Sequence, residues 1–306
     1  MRHQCTAEPM KTSNAVPLLE MPSPFETEYG KLLLREPPTT SAGELNSLRA
    51  RLLDESYKKP FVVDDGQLRY LYFNVRLMQS AMRLAAPDEL ALRYTQKMMA
   101  FLLFVPRPER IVLIGLGGGS LLKFCHRHLP AAQFIAVEID PEVIALGEAF
   151  LLPPPGPKLQ ILQADGADYV AEAAPGIDAL LIDAFDEHGF APALNSRVFL
   201  QSAWDKLSAK GVLVINLAGE RSSYAGLVAE VMHVFDDQAL IIPVPDDGNH
   251  VLLAFRERHF EPRWRWLHNH ARELRAKYGL DFPDFVQKLE RSAKLGLARG
   301  MAERRA

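Results

Sequence analysis

The amino-acid sequence predicts an α/β fold, and two features of residues 110–256 support that prediction. Strand-like apolar runs alternate there with helix-like segments, which is typical of a parallel sheet covered by helices. The first run, RIVLIGL, is apolar without alternation, as expected for a strand that is buried on both faces. A late pair of runs, DQALIIPVP and NHVLLAFR, is joined through DDGN, which favours a hairpin. We therefore expect a mostly parallel sheet that ends in an antiparallel hairpin.

The composition excludes several classes of protein. The chain has 306 residues, of which 48% are hydrophobic and 24% charged, and both shares are ordinary for a globular protein. Its formal net charge of -3 argues against nucleic acid as a partner. No apolar run approaches about 18 residues and the start lacks a leader pattern, so we expect no membrane association and a cytoplasmic location. Cys5 and Cys125 cannot form a disulfide framework, and no CxxC spacing predicts a metal site.

Changes in pattern along the chain predict four stretches. They are residues 1–56, a mobile N-terminal arm; residues 57–100, a small β element plus a linking helix; residues 101–256, the α/β catalytic domain; and residues 257–306, a basic helical tail. Within the arm, we expect one short helix near residues 44–53. The segment PDELALRYTQKMMAFLLF is expected to form the linking helix, with Asp88 and Glu89 in its first turn.

A glycine-rich corner, GLGGGS, follows the first strand of the α/β domain and precedes a helix. Gly115, Gly117 and Gly118 allow the backbone to approach a ligand closely, and the helix N-terminus offers free N–H groups. A dinucleotide fingerprint would require glycine where Ser120 stands, and the Gly-Lys-Ser/Thr ending of a P-loop is absent. The corner predicts a site for a nucleotide or nucleoside. The alternative is a merely tight strand–helix turn.

Three further strand ends carry carboxylates at the edge where open parallel sheets bind ligands. Glu138 ends the second strand, at a spacing that suits the ribose hydroxyls of an adenosine; it could instead be a surface acid. Asp165, before Gly166, ends the third strand and also suits a helix N-cap. Asp183 ends an apolar fourth strand, so solvation explains it poorly, and together with Asp186 it could hold an amine and take its proton. The alternative for Asp186 is a loop acid that faces water.

Together these motifs resemble the spermidine synthase (polyamine aminopropyltransferase) family, which has the S-adenosylmethionine-methyltransferase-like variety of the Rossmann fold. The family pattern contains a glycine corner, a VEID strand end, a GDG turn, a DSSDP-like strand end and a Pro-Ala loop before GVL. This chain has GLGGGS, VEID, ADG, DAFD and Pro192-Ala193 in the same order and at matching spacing. The resemblance covers residues 78–217.

The resemblance implies transfer of an aminopropyl group from decarboxylated S-adenosylmethionine, as a co-substrate, to a diamine. It implies that Asp183 is the base and that Asp186 helps to hold the amine. It also implies that Glu138 binds the ribose and Asp165 the adenine of the donor. No permanently bound cofactor and no metal are expected.

The same resemblance places two glutamines near the donor. Gln96 stands where the family has His or Gln, and Gln79 matches a further glutamine upstream of it. The partners implied are a small-molecule polyamine substrate and, because members of the family form dimers or tetramers, a second copy of the chain in a homodimer.

Several positions depart from the family pattern. Gly118 stands where the family has an aspartate that pairs with the amine of the aminopropyl arm. Thr95 and Lys97 occupy the places of a tyrosine and a glutamate, and Tyr94 would need a shift of one position to replace that tyrosine. Residues 85–88 form an extra stretch that lengthens the connection between Gln79 and Gln96. The nucleoside half of the site is therefore kept, and the aminopropyl and diamine half is altered.

These departures leave two alternatives open. Because Gly118 would not repel a carboxylate, the chain could be a methyltransferase that uses ordinary S-adenosylmethionine. It could also be a non-catalytic homologue that binds a nucleoside or serves in an assembly. Glu187, Asp246 and Asp247 lie on predicted loops and could supply the missing negative charge.

Overall fold

The small β element is a five-stranded antiparallel sheet, in the order β1-β2-β3-β4-β5. The computed structural model describes residues 18–24, 30–186, 189–245 and 248–303. Asp64, Asp65 and Gly66 form the predicted turn between the third and fourth strands, with Gly66 at a φ of +86°. The strands are β1 (Leu19–Pro22), β2 (Lys31–Leu34), β3 (Phe61–Asp64), β4 (Leu68–Asn74) and β5 (Leu77–Arg83).

Residues 1–56 contain more structure than the sequence suggested. The strands β1 and β2 pair with each other and with β3, and helix α1 (Ala42–Leu53) packs beside them. Leu32, Leu34 and Leu52 are almost fully buried. Strands of four residues between prolines are too short to reveal an alternating pattern, and this explains why they were expected to be loop. The segments 1–17 and 25–29 lie outside the described residues.

The main sheet has seven strands in the order β13-β14-β12-β9-β6-β7-β8. The strands β6, β7, β8, β9 and β12 pair in parallel, and β14 is antiparallel to both β12 and β13, which confirms the predicted hairpin. Alternate residues of each strand enter two separate apolar layers, so both faces are buried. The strands are β6 (Arg110–Ile114), β7 (Gln133–Glu138), β8 (Leu159–Gln163), β9 (Ile177–Ile182), β12 (Leu207–Leu217), β13 (Ala239–Val244) and β14 (Asn249–Phe255). A two-stranded ribbon, β10 (Phe185–Asp186) and β11 (Gly189–Phe190), follows β9.

The chain order of the strands reverses beside β6. After β6 the chain adds β7 and β8 on one side, then returns to place β9 on the other. Such a switch point opens a crevice at the carboxyl ends of the strands. The connecting helices are α2 (Arg93–Met98), α3 (Ser120–His128), α4 (Pro141–Ala145), α5 (Gly166–Glu172), α6 (Arg197–Lys206) and α7 (Arg221–Val234).

The linking helix is shorter than predicted. It begins at Arg93, because Leu92 has extended backbone angles, and it continues after Met98 as a 3-10 helix. Asp88 and Glu89 therefore precede the helix instead of occupying its first turn, and the expectation was wrong on this point. The Glu89 N–H donates to the Ala86 carbonyl at 3.1 Å, so this segment is a turn.

The C-terminal segment is helical, as predicted, and its apolar face is buried. Its helices are α8 (Trp264–Tyr278), α9 (Phe282–Lys294) and α10 (Leu297–Ala302). Leu267, Phe282 and Leu289 of α8 and α9 enter the main core, while most basic side chains of the segment remain exposed. Within the described ranges, every helix is too short or too polar to cross a membrane.

Candidate active site

The glycine corner lies at the switch point, between β6 and α3. Gly115, Gly117 and Gly119 all have positive φ, at +91°, +50° and +67°. A Cβ at Gly115 would lie 2.3 Å from the backbone oxygen of Asp183, at the end of β9. The corner and the β9 end thus touch backbone to backbone, and only glycine fits there.

Glu138, the last residue of β7, is hydrogen-bonded to the glycine corner. Its Oε2 accepts a hydrogen bond from the Leu116 N–H at 2.8 Å, and its Oε1 accepts one from the Asp140 N–H at 3.0 Å. The residue is only 9% exposed, and this burial raises the pKa of Glu138, against the two backbone hydrogen bonds, which lower it. A carboxylate has about four lone-pair positions, so two acceptor positions remain for a ligand.

Asp165 is the N-cap of α5. Its Oδ1 accepts hydrogen bonds from the N–H groups of Ala167, at 2.7 Å, and Asp168, at 3.2 Å. This is the helix-capping role weighed in the sequence, and Oδ2 is left for a second partner. A Cβ at Gly166 would lie 2.3 Å from Cγ2 of Ile114, so this glycine is required by close packing against β6.

Asp183 lies half-buried immediately after β9 and is held by two side chains. Its Oδ1 accepts a hydrogen bond from Nδ2 of Asn216 at 2.9 Å, and its Oδ2 accepts one from the Tyr94 hydroxyl at 3.2 Å. Asn216 is 2% exposed and in turn accepts a hydrogen bond from Nδ2 of Asn249 at 3.1 Å. Burial raises the pKa of Asp183 to about 6, and the hydrogen bonds from Asn216 and Tyr94 oppose that rise.

Two of these partners were not among the predicted site residues. The sequence suggests that Tyr94 would need a shift of one position to replace the tyrosine of the family pattern. In the structure, its side chain reaches Asp183 directly from the first turn of α2. Thr95 and Lys97 point elsewhere, toward the carbonyls of Leu92 and Pro243. Asn216 could have been found in the sequence, because it is the one polar residue in the strand-like run VLVINL.

The structure does not bring Gln96 to the group formed by Asp183, Tyr94 and Asn216. It lies two residues after Tyr94 on α2, so the two side chains project from opposite sides of the helix. Its Nε2 donates to the Leu90 carbonyl at 2.8 Å, and the residue lines a separate cavity beside Phe124. Gln79 is half-buried at an irregularity in the pairing of β5 with β4.

Ser80, the neighbour of Gln79, is the β5 residue that touches the corner. The Gly118 N–H donates to its Oγ at 2.9 Å. A Cβ at Gly118 would lie 2.8 Å from Cδ1 of Phe150 and 3.0 Å from Cβ of Ser80. A phenyl ring and a serine therefore fill the space where the family pattern has a carboxylate, and an aspartate at Gly118 would have to displace that ring.

A buried lysine holds this phenylalanine. Nζ of Lys123 donates to the carbonyl oxygen of Phe150 at 2.8 Å and contacts Sδ of Met82 at 2.9 Å. Lys123 is 4% exposed, and this burial lowers its pKa to about 8. The residue therefore couples α3 to the segment that covers Gly118.

The remaining acidic candidates are only partly described. The backbone of Asp186 pairs with Gly189 in the β10–β11 ribbon. Glu187, Asp246 and Asp247 lie outside the described residues. In the part of the chain that the structure describes, no three His, Cys, Asp or Glu residues cluster as metal ligands. The geometry thus combines a nucleoside-type corner with the half-buried carboxylate of Asp183, which can accept a proton.

The sequence is similar to those of known proteins. Residues 92–225 match the family model described as "Spermine/spermidine synthase domain". The chain is 36% identical to the polyamine aminopropyltransferase of Chromobacterium violaceum over 245 residues, which cover 80% of this chain and 94% of that protein. It is 33% identical to the enzyme of the same name from Neisseria meningitidis serogroup A over 246 residues, with the same two coverages of 80% and 94%.

A solved structure has the same fold. The chain superimposes on a probable spermidine synthase from Corynebacterium glutamicum with a TM-score of 0.60 at 19% identity, over 76% of this chain and 93% of that one. This likeness confirms the methyltransferase-like α/β architecture with its N-terminal sheet. With one relative 36% identical over nearly its whole length, the chain belongs to the spermine/spermidine synthase family of polyamine aminopropyltransferases.

Proposed function

We propose that the protein is an aminopropyltransferase that moves an aminopropyl group from decarboxylated S-adenosylmethionine to a diamine. The observation that carries this proposal is the position of Asp183. Its carboxylate is held by Tyr94 and Asn216, and its backbone touches the glycine corner at Gly115. A proton acceptor therefore lies beside the corner that would hold the nucleoside of the donor.

The proposed reaction needs such an acceptor, because an ammonium group has no lone pair with which to attack. Asp183 takes one proton from the ammonium of the diamine, and the freed nitrogen forms a bond to the methylene carbon next to the sulfonium. The bond from that carbon to sulfur breaks, its electron pair stays on sulfur, and 5′-methylthioadenosine leaves. The secondary amine of the product retains its positive charge.

The raised pKa of Asp183 makes this proton transfer easier. An alkylammonium has a pKa of about 10.4, as in lysine, so an ordinary aspartate is a much weaker base than the amine. Because burial raises the pKa of Asp183 to about 6, the mismatch falls by about 3 kcal/mol. Tyr94 and Asn216 keep the carboxylate oriented while it carries the proton.

On the donor side, we propose that Glu138 accepts hydrogen bonds from the two ribose hydroxyls and that Oδ2 of Asp165 faces the adenine. Both carboxylates already hold backbone N–H groups with part of their acceptor capacity. Gly115 and Gly117 permit close approach of the donor. Asp186 follows Asp183 by three residues, and we propose that it helps to bind the far end of the diamine.

A second candidate function is methyl transfer from ordinary S-adenosylmethionine. The observation that favours it is the surroundings of Gly118, where Phe150 and Ser80 occupy the place of the family's acidic side chain. Without that carboxylate, a donor with its own carboxylate meets less repulsion.

Calorimetric titration separates these functions. The protein is titrated with decarboxylated S-adenosylmethionine and, separately, with S-adenosylmethionine, and aminopropyl transfer to putrescine is then assayed. Preference for the decarboxylated donor, together with turnover, supports aminopropyl transfer. Preference for the intact donor supports methyl transfer, and binding of neither overturns both and favours a non-catalytic role.

Glu138→Gln should weaken binding of 5′-methylthioadenosine about 10- to 100-fold. The amide has one acceptor oxygen, so either a ribose hydroxyl or a corner N–H loses its partner, at a cost of about 1–3 kcal/mol. Calorimetry with 2′,3′-dideoxy-5′-methylthioadenosine supplies the control. The wild type should bind this analogue weakly and the variant should bind both nucleosides alike; an equal loss for both ligands would mean that Glu138 serves only the corner.

Tyr94→Phe should lower kcat/KM at pH 7 about tenfold, because a hydrogen bond to a charged group contributes about 1.5 kcal/mol. Losing that bond also raises the pKa of Asp183 further, so the acidic limb of the pH–rate profile should move to higher pH. Tyr70→Phe is the matched control, since the Tyr70 hydroxyl contacts Asp65, away from the corner. Identical pH profiles for the wild type and Tyr94→Phe would contradict the role of Tyr94.

A further inference from the structure

A second cavity lies on the far side of α2 from Asp183. Its volume is about 690 Å³, within the range of small-molecule sites. It lies at the C-terminal end of α3, whereas the glycine corner lies at its N-terminal end, about 13 Å away along a nine-residue helix. Its lining includes Asp88, Glu89, Gln96, Phe124, Arg127 and Tyr278.

One wall of the cavity is aromatic and carries an unpartnered polar atom. The ring centroids of Phe124 and Tyr278 are 6.3 Å apart, and His128 lies 4.5 Å from Phe124. Tyr278 is 5% exposed, and its buried hydroxyl has no hydrogen-bond partner among the described residues. A buried hydroxyl without a partner is costly, so a ligand that brought a polar group to Tyr278 would be stabilised.

The other polar groups of the cavity are mostly acceptors. Nε2 of Gln96 is engaged with the Leu90 carbonyl, which leaves its Oε1 to accept a hydrogen bond. Asp88 is paired with Arg127, and Glu89 adds a second carboxylate. Burial and the neighbouring Arg127 lower the pKa of His128, which favours the neutral imidazole. Spare acceptors, one net negative charge among the lining residues and aromatic faces together favour an organic cation; the ammonium of Lys277, outside that lining, lies 4.8 Å from the ring centroid of Tyr278.

One side of the cavity is formed by residues 85–88. These residues are the extra stretch that the family pattern lacks. The cavity is thus built partly from residues that are additional to the family pattern. Helix α2 connects it to the catalytic region, since Gln96 faces the cavity and Tyr94, on the opposite side of the same six-residue helix, binds Asp183.

We propose that this cavity is a second, non-catalytic site for an organic ammonium compound, and that its occupancy acts on Asp183 through α2. Binding at the cavity is independent of the proposed function. Only the action on Asp183 rests on aminopropyl transfer. The ammonium group would be held by Glu89 and Oε1 of Gln96, while its hydrocarbon part lies against Phe124 and Tyr278.

Calorimetry with two amines tests the binding. Spermidine represents the amines of the proposed reaction, and benzylamine represents an unrelated ammonium compound. For at least one of them, we expect a binding event whose affinity falls fivefold or more in Tyr278→Phe and in Glu89→Gln. It should be unchanged in Tyr169→Phe, a tyrosine outside the cavity. Binding of spermidine alone would identify an amine of the proposed reaction as the ligand. Binding of benzylamine alone would identify an unrelated ammonium compound as the ligand.

The Tyr278→Phe variant separates a ligand site from a structural role. Because it removes an unpartnered buried hydroxyl, its melting temperature should equal or exceed that of the wild type while its amine affinity falls. Unchanged affinity for both amines in Tyr278→Phe and Glu89→Gln, or no binding event beyond the catalytic one, would overturn the proposal.

The action on Asp183 is tested by turnover at saturating donor and putrescine. The bound amine should change kcat at least twofold in the wild type and leave Tyr278→Phe unaffected. An equal change in both proteins would refute the coupling through α2. If the protein shows no aminopropyl transfer at all, the proposed function fails. The calorimetric experiment still tests binding at the cavity, because it does not depend on turnover.

Discussion

Asp183→Asn should lower kcat about 10²- to 10⁴-fold while the affinity for the donor stays within threefold. The amide cannot take the proton of the acceptor ammonium, and a positioned general base contributes about 10²–10⁴-fold. The contacts that orient the side chain survive, because Oδ1 of the new amide can accept from Asn216 and its NH₂ can donate to the Tyr94 oxygen. Turnover assays and calorimetry on the same preparation measure the two quantities.

The same substitution should stabilise the folded protein at neutral pH. The pKa of Asp183 rises from its ordinary 3.8 to about 6 on folding, so between these values the native state binds more protons than the unfolded chain. Stability therefore falls as the pH rises through this window, and the full cost at pH 7 is about 3 kcal/mol. We expect Asp183→Asn to gain about 1–3 kcal/mol at pH 7 and almost nothing near pH 4.

The wild-type pH profile provides an independent check, since kcat/KM should rise with pH through an apparent pKa of about 6. Asp205→Asn removes a carboxylate from an exposed position on α6 and serves as the charge-matched control. That control should keep both its activity and its stability. Asp183→Asn with more than a tenth of the wild-type turnover would rule out Asp183 as the base.

Gly115→Ala should destabilise the protein by more than about 3 kcal/mol and remove donor binding. The new Cβ would lie 2.3 Å from the oxygen and 2.8 Å from the carbonyl carbon of Asp183, both backbone atoms that cannot rotate away. A φ of +91° adds about 1–2 kcal/mol for a residue with a side chain. Relief would require the end of β9 to move away from β6, which displaces the Asp183 carboxylate together with the corner.

Gly66→Ala measures the free-energy cost of a side chain at positive φ without the steric clash that occurs in Gly115→Ala. Gly66 has a φ of +86°, and an added Cβ there would meet no atom within 4 Å. This control should lose only about 1–2 kcal/mol and keep full activity. Chemical denaturation of both variants gives the comparison, and equal losses of stability would show that the contact between the corner and the β9 end is not a constraint.

The main domain was predictable because its signals are local. An unbroken apolar run such as RIVLIGL reports burial on both faces, and DDGN between two such runs reports a hairpin. The sequence pattern placed Asp183 and Glu138 at strand ends, and the structure has them at the ends of β9 and β7, the two strands that flank β6. The roles proposed for these residues remain predictions. The short strands β1 and β2 were missed, because four residues show too little alternation to indicate a strand.

The details of the site depended on long-range packing. Tyr94 reaches Asp183 because α2 begins at Arg93, and that start depends on the turn before it and not on the helix pattern of the segment. The same start directs Gln96 into the second cavity. The absence of room for a side chain at Gly118 depends on Phe150, which lies 32 positions further along the chain and meets the corner only in the folded protein.

The sequence by itself therefore determined the α/β class, the hairpin at the sheet edge, the glycine corner and the order of carboxylates at the strand ends. These features follow from periodicity and from glycine content, which act within a few residues. Only the tertiary structure decided which side chains meet Asp183, which way α2 faces, and what fills the space at Gly118. Those outcomes depend on contacts between residues that are distant in sequence, where small shifts in a helix start or a loop length redirect whole side chains.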